Sequence, residues 1–389
     1  MDPFEKLPEE IYDQILKYFE IDETIFTLSQ VSKRWYEVVG KSSVCMQKVK
    51  INLKSKRKND FVERIETLKW MSQKNARKYQ IIQANCLFDE KVSDEFYNFL
   101  KTANSLEYIN MRSMKLEGQE LESISLPKLE YLKVMFIPRE VINNLITSTS
   151  NLSQLILWNE TPLSYDDLNY QPSEKTIESA RWCLENNSLL TELEIQGRAN
   201  FFAFFEKDIA PYVKCHLKKL TVKIEMKPKL WTDYHVQHFI NFLASQADFL
   251  EYIYIDSCPP AIIKYVFNDM PKLKSIRFDI EQTEPDKIDV KVLDLNVNQN
   301  ITSFEMPYIV RFDDLKDFLV LVPNVEKILI GHVIPRLMEF VVTSLTHLES
   351  LVYRYDDCAG GCEQLYKNML QNNPENNEGI KLSVCNDFM

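Results

Sequence analysis

Leu129-Glu130-Tyr131-Leu132-Lys133-Val134 is followed 23 residues later by Leu152-Ser153-Gln154-Leu155-Ile156-Leu157. Both stretches put apolar residues at the first, fourth and sixth positions. An apolar residue at every second position is the period of a strand with one buried face. The same frame reads Met46-Val49-Ile51, Ala76-Tyr79-Ile81, Leu106-Ile109-Met111, Leu190-Leu193-Ile195, Leu217-Leu220-Val222 and Leu250-Ile253-Ile255. It continues through Leu273-Ile276-Phe278, Ile301-Phe304-Met306, Val325-Ile328-Ile330 and Leu348-Leu351-Tyr353, with a last strand near Ile380-Leu382-Val384. The steps Ile109 to Leu132, Ile253 to Ile276 and Ile328 to Leu351 are again 23 residues, whereas Leu155 to Leu193 takes 38 and Leu220 to Ile253 takes 33. Val290-Leu293-Leu295 fits poorly and reads either as an extra strand or as part of a long loop.

Helical patterns fill the intervals. Ser93 stands ahead of Phe96, Phe99 and Leu100; Pro138 opens a run with Val141, Ile142 and Leu145; Ser173 precedes Ile177, Ala180, Trp182 and Leu184. Val236, Phe239, Ile240 and Leu243 make another stripe, and Ile262, Ile263 and Val266 follow Pro259-Pro260. Leu315, Phe318 and Leu319 precede Pro323, and Leu337, Phe340 and Val341 follow Pro335. Strand and helix alternating at a near-fixed step, with no unit able to bury its own apolar face, make a solenoid. The expected class is α/β, with parallel strands on a concave face and helices on a convex one.

The residues between the apolar strand positions then point to the concave face. They include Tyr108, Asn110, Tyr131, Lys133, Ile156, Trp158, Glu192, Glu194, Lys219, Thr221 and Lys223. Tyr252, Tyr254, Asp256, Arg277, Asp279, Lys327 and Arg354 complete the set. Exposed Tyr, Trp and Arg are enriched at interface hot spots. Tyr131, Trp158, Tyr252, Tyr254 and Arg277 are therefore the expected centre of a protein-binding surface; the plainer reading is aromatic side chains packing along the strands.

Before the repeats stands a different pattern. Pro8 suits the first turn of a helix, and Glu9 and Glu10 meet its positive end. Ile11, Ile15, Leu16 and Phe19 form one stripe. Asp22 can cap a second helix with Ile25, Phe26 and Leu28, and Ser29 or Ser32 a third with Val31, Trp35 and Val39, ended by Gly40. Three such short helices cannot bury all this apolar surface among themselves.

Leu7-Pro8, Glu10-Ile11, Ile15-Leu16 and Phe19, then Leu28 and Val31-Ser32-Lys33-Arg34-Trp35, resemble an F-box. Ile11 and Ile15 stand where leucine is common, a volume-conserving swap. The resemblance implies a three-helix F-box over residues 1–43 that binds the Skp adaptor of a cullin–RING ubiquitin ligase through Leu7, Pro8, Ile11, Ile15, Leu16, Phe19, Leu28, Val31 and Trp35. Residues 44–389 resemble the irregular leucine-rich repeats often found behind an F-box, although the Asn or Cys usual after the third apolar position is mostly missing. Cys258 fits; Met114, Glu160 and Glu281 depart. The implied function is a non-catalytic substrate receptor whose client is marked for proteasomal degradation. The alternative is an interaction scaffold that does not promote ubiquitin transfer.

Composition sets limits. A hydrophobic share of 45% with 26% charged residues is that of a globular chain, and the net charge of −11 argues against nucleic acid as a partner. No run approaches a membrane span, and the acidic start Met-Asp-Pro-Phe-Glu is unlike a signal peptide. The expected location is cytoplasmic, nuclear or both, with the 8 cysteines as reduced thiols and the Asn-x-Ser/Thr matches at Asn151, Asn159, Asn186 and Asn300 as chance. Seven glycines and no phosphate-binding loop disfavour a nucleotide enzyme. Lys54-Ser55-Lys56-Arg57-Lys58 reads as a solvated loop before a helix capped by Asp60 and Glu63, with nuclear import as the other reading. Cys358 with Cys362, and His235 with His238, lack the further ligands a metal needs. No cofactor is expected.

Overall fold

The computed structural model describes residues 7–18, 33–42, 45, 50–75, 79–86, 93–114, 124–158, 172–205, 209–224, 231–279, 290, 292–307, 312–356, 361, 363–364, 366–368 and 380–384. The chain forms two compact units, Met1–Leu190 and Thr191–Met389.

In the first unit, helices α1 (Glu9–Leu16) and α2 (Lys33–Lys41) precede strand β1 (Lys50–Ser55) and helix α3 (Lys58–Asn75). There follow β2 (Ile81–Cys86), α4 (Ser93–Thr102), β3 (Tyr108–Arg112), β4 (Tyr131–Met135), α5 (Arg139–Thr147), β5 (Gln154–Trp158) and α6 (Glu174–Asn186). Strands β1 to β5 pair in chain order, all parallel. Burial alternates along β2 and β3, as a half-buried strand requires. Leu106, Ile109, Met111, Leu129, Leu132, Val134, Leu152, Leu155 and Leu157 are fully buried between sheet and helices.

The second unit runs β6 (Glu192–Gln196), α7 (Arg198–Phe205), a 3-10 turn (Ala210–Tyr212), β7 (Lys219–Lys223), α8 (Asp233–Gln246), β8 (Tyr252–Asp256), α9 (Pro260–Asp269) and β9 (Ser275–Asp279). It continues with β10 (Ser303–Met306), α10 (Phe312–Val320), β11 (Lys327–Val333), α11 (Pro335–Ser344), β12 (Ser350–Asp356) and β13 (Lys381–Val384). These strands too are parallel and pair in order.

Two backbone devices recur and set the repeat register. Just before a strand, one carbonyl accepts two successive N–H groups from the next repeat. Gln80 O takes Glu107 N and Tyr108 N at 2.9 Å each, and Lys218 O takes Glu251 N and Tyr252 N at 2.9 Å each. Just after a strand, a residue turns left-handed and donates to the next strand. Ser113 (φ 55) donates to Met135 O at 2.8 Å, Phe136 (φ 56) to Trp158 O at 2.9 Å, and Ser257 (φ 51) to Asp279 O at 2.7 Å. Gly197 (φ 88) fills that position after β6 without a Cβ penalty, whereas the three other side chains each cost about 1 kcal/mol or more.

The sparse Asn/Cys pattern has a structural answer. Buried amides at the C-terminal ends of helices satisfy the backbone instead. Asn187, after α6, accepts from Leu152 N at 2.9 Å and donates to Cys183 O at 3.1 Å. Gln246, the last residue of α8, accepts from Leu217 N at 2.8 Å. Asn187→Ala strands the buried Leu152 N–H, while Cys183 O keeps the Asn187 backbone N–H at 3.1 Å, so a loss of about 2 kcal/mol is expected from urea midpoints at unchanged m. A loss below about 0.5 kcal/mol, the range of ordinary surface changes, would discount the amide's role.

Several expectations need correction. The first two repeats sit later than the sequence frame suggests. Ile51 and Leu53 pair with Ile82 and Ala84, which pair with Ile109 and Met111, so Tyr79 precedes its strand rather than centring it; Val49 lies outside the described residues. Of the two readings left open for Val290-Leu293-Leu295, the loop holds over its described residues, and Asn268 clasps it, donating to Asp294 O at 3.2 Å and accepting from Asn296 N at 2.7 Å. Lys54 and Ser55 belong to β1 and Lys58 begins α3, so the basic run is no free loop. Gly40 lies inside α2, which ends where Ser42 N meets Val38 O at 2.9 Å.

Candidate protein-interaction surfaces

On the outer face of the second unit, Tyr254, Arg277, Asp279 and Glu305 form one cluster. The strand register puts Tyr254 beside Arg277, and Arg277 beside Glu305. The Tyr254 hydroxyl donates to the Asp279 carboxylate. Arg277 Nε lies 3.5 Å from Asp279 Oδ1, its Nη1 lies 3.6 Å from Glu305 Oε2, and its guanidinium carbon stands 4.3 Å from the Tyr254 ring centroid. Nearby, Lys223 Nζ meets Glu194 Oε1 at 2.8 Å and Lys219 Nζ meets Glu192 Oε2 at 3.9 Å. Lys219 also stands over the Tyr252 ring at 5.4 Å.

Tyr254 therefore departs from expectation. It is 7% exposed and acts as a prop for the Arg277–Asp279 pair rather than an open anchor. Thr221 and Ile156, also expected outside, are buried. Burial pushes Tyr252 up to about 12 and raises Tyr254, with Asp279 adding to the latter. Burial opposes charge on Arg277, yet Asp279, Tyr254 and Glu305 outweigh it and raise its pKa.

Burial also raises Asp279, which is 3% exposed, and Glu305. A raised folded pKa means that Asp279 stabilises the fold fully below its unfolded value, near 4, and loses that contribution as pH rises through the folded value. Relative to Asp279→Asn, the native chain should gain stability as pH falls from about 7 towards 4, measured by urea unfolding. A gap between the two proteins that stays constant with pH would remove this linkage.

On the outer face of the first unit the contacts differ. The Tyr108 and Tyr131 rings stack at 4.1 Å with an interplanar angle of 6°. Lys133 Nζ stands 4.7 Å from the Trp158 ring centroid, and the Arg112 guanidinium 5.7 Å from that of Phe136. Tyr131 and Trp158, both half-buried, thus belong to this face, while Tyr252, Tyr254 and Arg277 belong to the second unit's. The stacked pair was legible in sequence only as two separate outward tyrosines.

The described thiols are enclosed. Cys45, Cys86, Cys183, Cys215 and Cys258 are free and buried, and burial pushes Cys86 and Cys215 up to about 12. His235 Nδ1 lies 3.0 Å from Thr232 Oγ1 at the start of α8, and its ring packs 4.7 Å from Phe202. The His238 ring packs 4.3 Å from Tyr234. Among the described residues no group of three or more His, Cys, Asp or Glu is arranged to hold a metal, and no helix is long and apolar enough to cross a membrane. Cys358 and Cys362 lie outside the described residues.

The N-terminal helices are small and asymmetric. Pro8 O accepts from Ile11 N at 3.1 Å, starting α1 as its missing donor allows. The Tyr12 ring meets Trp35 of α2 edge-on at 5.2 Å. Tyr12, Leu16, Trp35 and Val39 are buried, and Tyr12 and Val38 were not singled out by the apolar stripe. Pro8 is exposed, Leu7 and Ile15 are half-buried, and Ile11 stays 43% exposed. Phe19, Leu28 and Val31, with the second expected helix, lie outside the described residues.

The family model of the F-box domain matches residues 4–46. The chain carries an F-box domain. No curated protein matches the chain. An F-box domain supports a Skp-binding role within ligases of the Skp–cullin–F-box type. The strand–helix array behind the F-box is consistent with leucine-rich repeats. Of the residues expected to meet the adaptor, Leu16 and Trp35 are core residues of this chain, which leaves Leu7, Pro8, Ile11 and Ile15 as the described ones still accessible.

Proposed function

We propose that this chain is the substrate-recognition subunit of a Skp–cullin–F-box ubiquitin ligase. Residues 1–43 bind the Skp adaptor and, through it, the cullin–RING ligase; residues 44–389 hold a protein client. The observation that carries the reading is the F-box match at residues 4–46 ahead of a strand–helix repeat. The exposed Pro8 and Ile11 support a docking ridge, because water-exposed apolar side chains on so small a helix pair favour a partner.

The chain itself performs no bond chemistry. It acts by proximity, holding client lysines near a charged ubiquitin-conjugating enzyme at high effective concentration. Among the described residues, burial raises the thiol pKa of Cys86 and Cys215, which supports this division of labour, since thiolate is the nucleophilic form. Client contacts fall on Tyr131, Trp158, Tyr252 and Arg277, with Tyr254 holding Arg277 in place. Neither nucleic acid nor membrane takes part.

The test is co-expression with a Skp adaptor, size-exclusion chromatography, and measurement of client abundance after removal of this protein. A stable complex, with a client that accumulates and is less ubiquitinated on removal, supports the receptor. A complex whose partners do not change in abundance makes the protein a scaffold.

A further inference from the structure

We propose that the outer face of β1–β5 docks an extended, carboxylate-rich peptide segment of the client through Lys54, Arg112 and Lys133. This deepens the receptor reading and rests on it. The chain carries a net charge of −11, yet no outward position on these five strands is Asp or Glu. Lys54 and Arg112 are exposed and Lys133 half-exposed.

Three outward cations of the second unit are already neutralised: Lys219, Lys223 and Arg277 each face a carboxylate within 4 Å. Among the described residues, Lys54, Arg112 and Lys133 face none. The rings beside Arg112 and Lys133 orient these cations without cancelling their charge. Among the described residues, the carboxylates nearest in sequence to Arg112 and Lys133 are Glu107 and Glu130, which precede β3 and β4, at the far end of β3 from Arg112. Glu107 accepts from Gln80 Nε2 at 2.8 Å.

Register decides the chemistry of the occupant. Lys54, Asn85 and Arg112 share one row across three strands, and Lys133 sits beside Asn110, two residues back along the sheet. With strands about 4.8 Å apart and about 6.8 Å per residue pair, the backbone positions of Arg112 and Lys133 are about 8 Å apart, and those of Lys54 and Arg112 about 10 Å. A phosphate needs several donors converging on one group. Separated cations instead match separate carboxylates, which an extended peptide presents on one face at every second residue. The stacked Tyr108 and Tyr131 add an apolar platform for an aromatic side chain next to the acidic run.

The test is fluorescence anisotropy on the full chain bound to a Skp adaptor. The probe is a short labelled peptide of alternating glutamate and serine ending in tyrosine. Arg112→Gln with Lys133→Gln should weaken binding about tenfold, as loss of two exposed ion pairs allows, and raised salt should weaken the native complex. Lys327→Gln, the loss of one exposed cation on β11, should leave binding unchanged. Arg112→Lys with Lys133→Arg should bind as the native chain does, which separates charge from folding. Equal binding of the glutamine version of the probe, or binding only of a phosphoserine version, overturns the proposal. Loss of adaptor co-elution in the unmodified protein sinks the receptor reading instead; intact co-elution without glutamate preference sinks only the docking face.

Discussion

Ile11→Asp combined with Pro8→Ala should abolish co-elution with a Skp adaptor while leaving the fold intact. Ile11 is 43% exposed and Pro8 is exposed, so neither side chain holds this chain together. Surface substitutions of this kind usually shift stability by no more than about 0.5 kcal/mol. An unpaired aspartate buried against an apolar partner costs several kcal/mol, more than about a hundredfold in affinity. Leu16→Ala and Trp35→Ala provide the contrast. Both side chains are buried, and Trp35 packs against Tyr12, so their loss should disturb the helix pair as well as capture. Adaptor co-elution and thermal unfolding, measured together, separate the two cases. Undiminished co-elution of the Ile11→Asp, Pro8→Ala protein would place the adaptor contact elsewhere.

The same distinction shows what a sequence can and cannot reveal. The stripe Ile11, Ile15, Leu16 marked an apolar helix face, but periodicity does not say which members turn inward. Tyr12, outside the stripe, is fully buried because Trp35 supplies a ring to receive it. Most repeats were legible because leucine and isoleucine fill both strand positions. The first two slipped because Ala84 and Cys86, small residues, occupy buried positions on β2, while larger residues upstream mimic the frame. On the outer faces, residue types were legible and partnerships were not. Tyr254, Arg277 and Asp279 look like three independent outward residues. Only the parallel register brings a hydroxyl, a guanidinium and a carboxylate into one buried group.

Helix α7 was missed altogether, and it supports the largest stability prediction. Arg198-Ala199-Asn200-Phe201-Phe202-Ala203-Phe204-Phe205 is apolar on nearly every side, so it carries no helical period to detect. Its position explains the composition. Phe201 is fully buried, with ring centroids 5.1 Å from Phe205, 4.9 Å from Trp231 and 5.8 Å from Phe239. Phe205 reaches Phe239 and Phe242 at 4.8 Å each, so one aromatic cluster joins α7, α8 and Trp231. Phe201→Ala removes the ring that meets Phe205, Trp231 and Phe239 and should cost about 3–5 kcal/mol. Phe249→Ala offers a matched deletion at a site 38% exposed, where the ring only stacks on His216 at 3.9 Å; its cost should stay near 1 kcal/mol or below. Urea unfolding of the two variants reads the difference, and hydrogen exchange in α7 and α8 locates it. Similar costs for the two would mean that the cluster relaxes around the missing ring, and that the stability of this unit lies in its strand ladder rather than in its aromatic helices.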